Sequence, residues 1–295
     1  MSVKGKIVTD MIRFFTSQKM LGPKIQDGTL RKNLVEPPWH CPDEYLNLPI
    51  HMRQFEMELL TPKAADNGEV VLQLHGGGYI AKIRNAYRDF AVRYSKIDQY
   101  RVLSVDYRVA PQHPYPAAFQ DALEAYRWLL YSGFSGDRII LAGDSAGGGL
   151  VLALVMYLRD QSMPLPKKLV MMSPWTDLTA SGPSYQENYE NDPLFGNTRE
   201  SMIYNGEYAG KQDPKLPYIS PLFGDFHGLP PMLFQVGSLE MLLSDSVLAA
   251  QKAKEAGCDV TLTVYQDMFH VFQLSMDKLA ESRAAWDEVA AFLGK

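Results

Sequence analysis

The chain has 295 residues, of which 46% are hydrophobic and 11% aromatic. That is enough apolar side chain to bury a large core, and it excludes a disordered chain. With 29 Lys and Arg against 34 Asp and Glu, the net charge is −5. This mild acidity argues against a nucleic-acid partner, which would need a basic surface on the protein.

Cysteine spacing and the N-terminal sequence set further limits. Cys41 and Cys258 are far apart in the sequence, and neither has the CxxC spacing that is typical of zinc or redox sites. Asp10 and Arg13 interrupt the stretch in which a signal peptide has its apolar region. No apolar run approaches the length of about 18 residues that a membrane-spanning helix needs. We therefore expect a soluble, cytoplasmic protein with reduced cysteines.

Short strand-like runs alternate with helical patterns from about residue 53 onward. Strands are predicted over 54–60, 69–75, 101–107, 138–143, 168–173, 231–236 and 259–265, and helices over 85–98, 117–133, 146–160, 244–257 and 277–295. Several strands are apolar on both faces, as central parallel strands are when helices cover both sides of a sheet. The alternation predicts an α/β fold with a largely parallel, doubly wound sheet.

Two stretches break this alternation. Residues 1–45 precede the sheet, and residues 176–222 are rich in Pro, Gly, Asn and aromatic residues, with one helical pattern over 197–210. Both are expected to form a helical cap over the carboxyl edge of the sheet, where ligands bind in such folds. The predicted organisation is an N-terminal cap segment (1–45), a first part of the core (46–175), a cap insertion (176–222) and a second part of the core (223–295).

Glycines surround Ser145 in the sequence "GDSAGGG" at 143–149. A phosphate-binding loop needs a Lys and a Ser or Thr after its last glycine, and a dinucleotide-binding loop needs G-x-G-x-x-G, so both are excluded. Gly143 to Gly147 instead read G-x-S-x-G between a predicted strand and a predicted helix, the context of a nucleophilic serine on a strained turn. The amide of Ala146 then lies at a helix start, where partial positive charge favours an oxyanion. A tight strand-to-helix turn without catalytic function is the alternative.

A second glycine run, "HGGG" at 75–78, directly follows a predicted strand. Backbone without side chains lets consecutive N–H groups approach a substrate oxygen, as a serine esterase requires of its second set of oxyanion donors. A structural turn is the alternative for this run, and three glycines after a histidine at this place disfavour it.

The sequence contains six histidines that could be the general base. In a serine esterase of this kind of fold the catalytic residues follow one another in the order Ser, then Asp or Glu, then His, so the base must come after Ser145. Only His227 and His270 follow Ser145. His227 lies just before a predicted strand and is expected on the surface. His270 follows the strand 259–265 and precedes the last helix, so it is the predicted base. His113, in a proline-rich turn, is expected to be structural.

Three acidic residues compete for the role of partner to His270. Glu240 lies four residues beyond the strand 231–236, close enough to its end to reach the imidazole, and is the favoured acid. Asp245 fits better as a residue of the first turn of the next helix, interacting with the helix dipole. Asp267 is the weaker alternative, because its loop would have to fold back.

Taken together, these motifs resemble the hormone-sensitive-lipase-like branch of the α/β-hydrolases, mostly bacterial carboxylesterases. The resemblance rests on HGGG at 75–78, DYRVAPQHPYPAA at 106–118, GDSAGG at 143–148, SPWTDLT at 173–179 and GSLEMLLSDS at 237–246. It covers roughly residues 50–295 and implies an α/β-hydrolase fold with a helical cap. It also implies Ser145 as the nucleophile and His270 as the base. The implied oxyanion donors are the amides of Gly77, Gly78 and Ala146.

The chain departs from the family pattern at two positions. The family acid is usually the Asp of an Asp-Pro-Leu motif, and the same position here is Glu240, followed by Met241-Leu242. The extra methylene of Glu240 requires a small backbone shift. In the same comparison Asp245 resembles a second, supporting acid. The family often has Gly after the catalytic histidine, where Val271 stands here, so the pocket wall is expected to differ.

The resemblance implies a serine carboxylesterase that hydrolyses short- to medium-chain acyl esters through an acyl-enzyme, without a metal or organic cofactor. The expected partner is a small-molecule ester, and Tyr79, Phe195, Tyr204 and Val271 are the predicted pocket residues. The resemblance also implies a homodimer through the strand 259–265 and the last helix. An amidase or deacetylase with the same triad stays open. A non-catalytic ligand receptor is disfavoured, because such receptors lose the histidine that is retained here as His270.

Overall fold

The structure, a computed structural model, describes residues 2–16, 36–196 and 207–294. Within these residues eight strands form one sheet in the order β1-β2-β4-β3-β5-β6-β7-β8. The strands are β1 (Tyr45–His51), β2 (Glu56–Pro62), β3 (Val70–Leu74), β4 (Arg101–Asp106), β5 (Ile139–Asp144), β6 (Lys168–Met172), β7 (Met232–Gly237) and β8 (Val260–Tyr265). The pairs β1–β2 and β2–β4 are antiparallel, and the other pairs are parallel. The predicted α/β fold with a mostly parallel sheet is confirmed.

Helices cover both faces of the sheet. They are α1 (Val3–Thr16), α2 (Asn85–Asp98), α3 (Ala117–Tyr131), α4 (Ala146–Asp160), α5 (Ser184–Glu187), α6 (Leu243–Glu255) and α7 (Ala280–Leu293). Side chains alternate along each strand, so Val70 and Leu72 of β3 face one core and Val71 faces the other. The first core includes residues of α3, α4 and α6, and the second includes residues of α2 and α7. The carboxyl ends of the parallel strands therefore meet at one edge of a sheet that is covered on both sides.

The observed elements follow the predicted ones closely, with two additions, strand β1 and the short helix α5. Helices α2 and α4 have the predicted bounds, and all seven predicted strands are present within a few residues. Strand β1 was not predicted. It pairs on one side only, with β2, it contains Pro49, and its Leu46 and Leu48 are exposed, so the burial that marks the central strands is weak here. The helical pattern predicted over 197–210 falls largely on residues 197–206, outside the described residues.

The residues between β6 and β7 include the segment 176–222, called the cap segment below. In its described part it contains α5 and a series of turns. Strand β8 lies at the edge of the sheet. Cys41 and Cys258 are free thiols. None of the helices in the described ranges combines the length and the apolarity that a membrane crossing demands.

Candidate active site

Ser145 occupies a strained turn between a strand and a helix. β5 ends at Asp144 and α4 begins at Ala146, and Ser145 between them has φ 51° and ψ −123°, a backbone conformation that L-residues rarely adopt. The turn is held on both sides. The Ser145 N–H donates to Met172 O at 2.9 Å, and its carbonyl accepts the N–H of Trp175 at 2.8 Å. The serine is 7% exposed, so it lies in a cleft and not on the open surface.

Glycines flank Ser145 because backbone approaches closely on both sides. A Cβ atom at Gly147 would lie 2.0 Å from the carbonyl oxygen of Leu74, at the end of β3. A Cβ atom at Gly143 would lie 2.5 Å from the carbonyl oxygen of Gly147. Both distances are far inside van der Waals contact, so the G-x-S-x-G pattern has a steric cause. The same packing brings the glycine run after β3 next to the serine turn.

The three candidate oxyanion donors lie on the loop after β3 and at the start of α4. Gly77 and Gly78 have φ 106° and 62°, values that favour glycine. Among the described residues, no acceptor is paired with the amides of Gly77, Gly78 or Ala146. The amide of Ala146 also carries the partial positive charge of a helix N-terminus. The geometry therefore leaves N–H groups available to a substrate oxygen.

Asp144 links the two glycine loops. Its Oδ1 accepts the N–H of Gly76 at 3.0 Å, and its Oδ2 accepts the hydroxyl of Tyr87 at 3.1 Å. Burial raises the pKa of Asp144 to about 6, although both donors stabilise the charged form. The second residue of G-x-S-x-G thus holds the backbone that precedes the candidate oxyanion donors.

His75 is part of the framework of this loop. Its ring stacks on Tyr107 with centroids 4.1 Å apart and planes 3° apart, and its Nδ1 lies 2.7 Å from the carbonyl of Gly76. Burial lowers the pKa of His75 to about 4. A neutral imidazole therefore donates from Nδ1 to Gly76 and fixes the loop at neutral pH.

Glu240 and His270, predicted as acid and base, are in direct contact. Glu240 Oε2 lies 2.7 Å from His270 Nδ1, and both side chains are buried. Glu240 follows β7 and His270 follows β8, which are neighbours at the edge of the sheet. Burial lowers the pKa of His270, but the hydrogen bond and charge of Glu240, together with the charges of two further carboxylates, outweigh that effect, so the pKa lies above its usual value of 6.5.

The structure places the competing acids and histidines elsewhere. Asp245 Oδ2 accepts the amides of Thr176 and Asp177 at 2.7 and 2.8 Å, and burial raises the pKa of Asp245 to about 8. Its hydrogen bonds go to the start of the cap segment, to these two amides and to the hydroxyl of Thr176, and not to the imidazole that Glu240 contacts. The Oδ1 of Asp267 accepts a hydrogen bond from the neighbouring Gln266. The remaining candidates for the base, His113 and His227, are exposed.

Ser173, which sequence reasoning did not assign to the site, connects three of its loops. Its hydroxyl donates to Glu240 Oε1 at 2.7 Å and accepts the N–H of Val271 at 3.2 Å. It directly follows β6, and the residue before it, Met172, accepts the N–H of Ser145. The sequence contained one indication of this role, because Ser173 is the first residue of the motif "SPWTDLT", on which part of the family resemblance rests.

The predicted pocket residues have different positions. Phe195 and Val271 lie beside His270: the ring of Phe195 is 4.9 Å from that of His270, and Val271 lines a cavity of about 550 Å³ together with His270. Residues of α1, of the cap segment and of the loop after β8 complete the wall of that cavity. They are Val8, Met11, Ile12, Leu194, Phe269, Leu274, Ser275, Lys278 and Leu279. Tyr79 is 1% exposed and stacks on Tyr208 at 3.7 Å. Tyr204 lies outside the described residues.

Known proteins share this fold. The family described as alpha/beta hydrolase fold matches residues 71–274, more than half of the chain, and the chain belongs to this family. An acetyl-hydrolase of Streptomyces hygroscopicus is 39% identical over 230 residues, which cover 78% of this chain and 77% of that protein.

Similar solved structures include members of the hormone-sensitive lipase branch of this family. The crystal structure of an esterase from the bacterial hormone-sensitive lipase family is 35% identical, covers 99% of this chain and 98% of its own, and has a TM-score of 0.85. The structure of EstE5 soaked with p-nitrophenyl butyrate is 33% identical, with the same coverages and a TM-score of 0.89. The predicted α/β-hydrolase fold and the resemblance to the hormone-sensitive-lipase-like branch are confirmed.

Proposed function

We propose that this chain is a carboxylic ester hydrolase, a serine carboxylesterase that works through an acyl-enzyme with Ser145, His270 and Glu240 as its triad. The observation that carries the proposal is the buried Glu240–His270 contact of 2.7 Å. This contact lies at the sheet edge where the strained turn of Ser145 also lies. The similarity to proteins named esterase and acetyl-hydrolase supports the same class.

In this proposal His270 moves one proton through each half of the reaction. Its Nδ1–H donates to Glu240, so the lone pair of Nε2 takes the proton of the Ser145 hydroxyl as Oγ attacks the ester carbonyl. The imidazolium then protonates the leaving alcohol, and the acyl group stays on Ser145. In the second half His270 deprotonates a water, which attacks the acyl-enzyme and releases the acid. Glu240 stays ionised throughout and stabilises the imidazolium.

The amides of Gly77, Gly78 and Ala146 would receive the negative charge of the tetrahedral intermediate. Loss of one such donor costs roughly 3 kcal/mol in the barrier. Because these donors are backbone groups on loops held by Asp144 and His75, they need little reorganisation during the reaction. The chemistry needs no metal or organic cofactor.

The proposed substrates carry short- to medium-chain acyl groups. Phe195, 7% exposed and 4.9 Å from the ring of His270, limits the space beside the base. Val271 adds a branched side chain to the cavity that His270 also lines. Short acyl groups are also associated with two similar proteins: one is named an acetyl-hydrolase, and the other, EstE5, was soaked with a butyrate ester. Tyr79 and Tyr204 stay predicted pocket residues.

The proposal is tested by hydrolysis of p-nitrophenyl esters from acetate to palmitate. The variants are Ser145→Ala and, as a matched control, Ser132→Ala, which removes the hydroxyl of an exposed serine just after α3. We expect activity that declines toward palmitate, is lost in Ser145→Ala and is kept in Ser132→Ala. Turnover that survives in Ser145→Ala contradicts the serine mechanism. A profile that peaks at long acyl chains contradicts the substrate range.

An amidase or deacetylase is the second candidate, because the word acetyl-hydrolase specifies the acyl group and not the leaving group. Hydrolysis of p-nitroacetanilide beside p-nitrophenyl acetate separates the two, and we expect the ester to be preferred. A ligand receptor would hydrolyse neither substrate.

With this function we also propose a domain organisation, in which cap segments at 1–45 and 176–222 cover a core formed by residues 46–175 and 223–295. A cytoplasmic location, the absence of a nucleic-acid partner, and a homodimer through β8 and α7 stay predictions.

A further inference from the structure

The loop that carries Glu240 is bound by a row of cap side chains. Ser184, Asn188 and Asp192 are four residues apart, and two backbone bonds, Asn188 N–H to Ser184 O at 3.0 Å and Asp192 N–H to Asn188 O at 2.8 Å, give them helical spacing. They therefore share one face, which is turned to residues 238–244, called the acid loop here. The acid loop is thus held by the cap segment as well as by the sheet.

Two members of the row satisfy backbone groups of the acid loop through neutral side chains. Asn188 Nδ2 donates to the carbonyl of Glu240 at 2.7 Å and to that of Ser238 at 3.0 Å. Ser184 Oγ donates to the carbonyl of Met241 at 2.6 Å. These bonds fix the backbone on both sides of the Glu240 Cα atom.

Asp192 adds a buried carboxyl group to the row, and burial raises its pKa although the backbone amides that it accepts stabilise the charged form. Its Oδ2 accepts the N–H of Met241 at 2.7 Å, and its Oδ1 accepts the N–H groups of Leu194 and Phe195 at 2.8 and 3.0 Å. The side chain is only 4% exposed. One carboxylate therefore fixes the residue after Glu240 and, at the same time, the cap residue whose ring lies 4.9 Å from that of His270.

We propose that Asp192 is a positioning residue for the Glu240–His270 pair, holding the acid loop through Met241 and the wall beside the base through Phe195. The proposal rests on the function proposed above and deepens it. The position of the acid then depends on the cap segment being docked. A neutral side chain at this position cannot satisfy all three amides, because an amide group offers one acceptor where the carboxylate offers two.

The charge of Asp192 adds an electrostatic effect on the imidazolium. Lys278 lines the same cavity as His270, and three carboxylates act on the imidazole by their charge: Glu240 from the loop after β7, Asp192 from the cap segment and Asp144 from the end of β5. All three raise the pKa of His270 against the effect of burial, which lowers it. Removal of the Asp192 charge should therefore lower the pKa of His270, and the acidic limb of kcat/KM, which follows that pKa, should move to lower pH.

The test compares Asp192→Asn with Glu187→Gln, a control that removes a carboxylate charge from an exposed position in the same segment. We expect Asp192→Asn to lower kcat for p-nitrophenyl acetate by roughly 10- to 100-fold, the cost of a small misplacement of catalytic groups. We also expect its acidic limb to move to lower pH. Glu187→Gln should change neither. A kcat within about twofold of wild type, or a limb that does not move, overturns the proposal.

A second variant separates position from charge and covers a failure of Asp192→Asn to fold. Asn188→Ala removes the donors to the carbonyls of Glu240 and Ser238 without a change of charge. It should lower kcat and move the acidic limb of kcat/KM to lower pH by less than Asp192→Asn does, because the charge of Asp192 stays in place and only the Glu240–His270 contact is loosened. The fold is monitored by circular dichroism and thermal unfolding. An unchanged kcat in folded Asn188→Ala contradicts the positioning role of the row.

Imidazole titration by NMR distinguishes this proposal from the function on which it rests. The resonance of His270 is assigned by its loss in His270→Asn, and its pKa is measured in wild type and in Asp192→Asn without any substrate. A lower pKa in Asp192→Asn supports the contact even if no ester is hydrolysed, which would refute the proposed function alone. An unchanged pKa beside normal serine-dependent hydrolysis refutes the role of Asp192 and leaves the function intact.

Discussion

Replacement of Glu240 by Gln should remove nearly all turnover, because the surroundings of the side chain dictate how the new amide is oriented. Oε1 accepts the N–H of Gly237 and the hydroxyl of Ser173, and Oε2 lies 2.7 Å from Nδ1 of His270. A backbone N–H can only donate, so the amide oxygen in Glu240→Gln must take the position next to Gly237. The NH2 group is then directed at the imidazole.

An NH2 group beside Nδ1 favours the tautomer of His270 that carries its proton on Nε2. That tautomer cannot accept the proton of Ser145, and the stabilising charge is lost as well. Replacement of a triad acid by its amide costs roughly 10⁴-fold in kcat, which corresponds to about 5 kcal/mol in the barrier. The assay is steady-state hydrolysis of p-nitrophenyl acetate, with thermal unfolding to establish that the variant is folded.

Asp245→Asn is the matched control for this experiment. Asp245 is also a buried carboxylate near the end of β7, but it binds the amides of Thr176 and Asp177 and not the imidazole. The kcat of the Asp245→Asn variant should stay within about tenfold of that of wild type. The reasoning is refuted if Asp245→Asn abolishes turnover while Glu240→Gln stays near wild type.

Three further outcomes follow from the same structure. Gly147→Ala should destabilise the fold by about 3 kcal/mol or more, because its Cβ atom would lie 2.0 Å from Leu74 O; a urea unfolding midpoint equal to that of wild type would contradict this. The kcat/KM of wild type should fall as pH drops through a pKa above 6.5, since His270 must be neutral to act as a base and its pKa is raised; a limb below 6.5 would contradict the contact with Glu240. The pKa of Asp245 is raised from 3.8 to about 8, so the folded state binds more protons than the unfolded state between these values. Stability should therefore fall as pH rises through this window, and Asp245→Asn should flatten that slope in urea titrations.

The sequence determined much of this protein because the relevant signals are local. Strand and helix bounds follow from hydrophobic periodicity, and α2 and α4 begin and end where the pattern predicts. The glycines around Ser145 are required by backbone contacts within a single strand–turn–helix unit and by the adjoining strand β3. Chain order and position after a strand were sufficient to select His270 and Glu240 as candidates.

Only the tertiary structure decided which groups meet across distant segments. Glu240, Asp245 and Asp267 all lie near the carboxyl edge of the sheet in sequence, and the fold directs only the first toward His270 with a 2.7 Å contact. Ser173 showed no sequence signal of its own beyond the motif it opens, since its contacts join β6 to the loops after β7 and β8. The same holds for Asp192, about 50 residues from the acid loop that it binds. Side-chain contacts between distant segments depend on strand order and on the path of the cap, and neither leaves a periodic trace in the sequence.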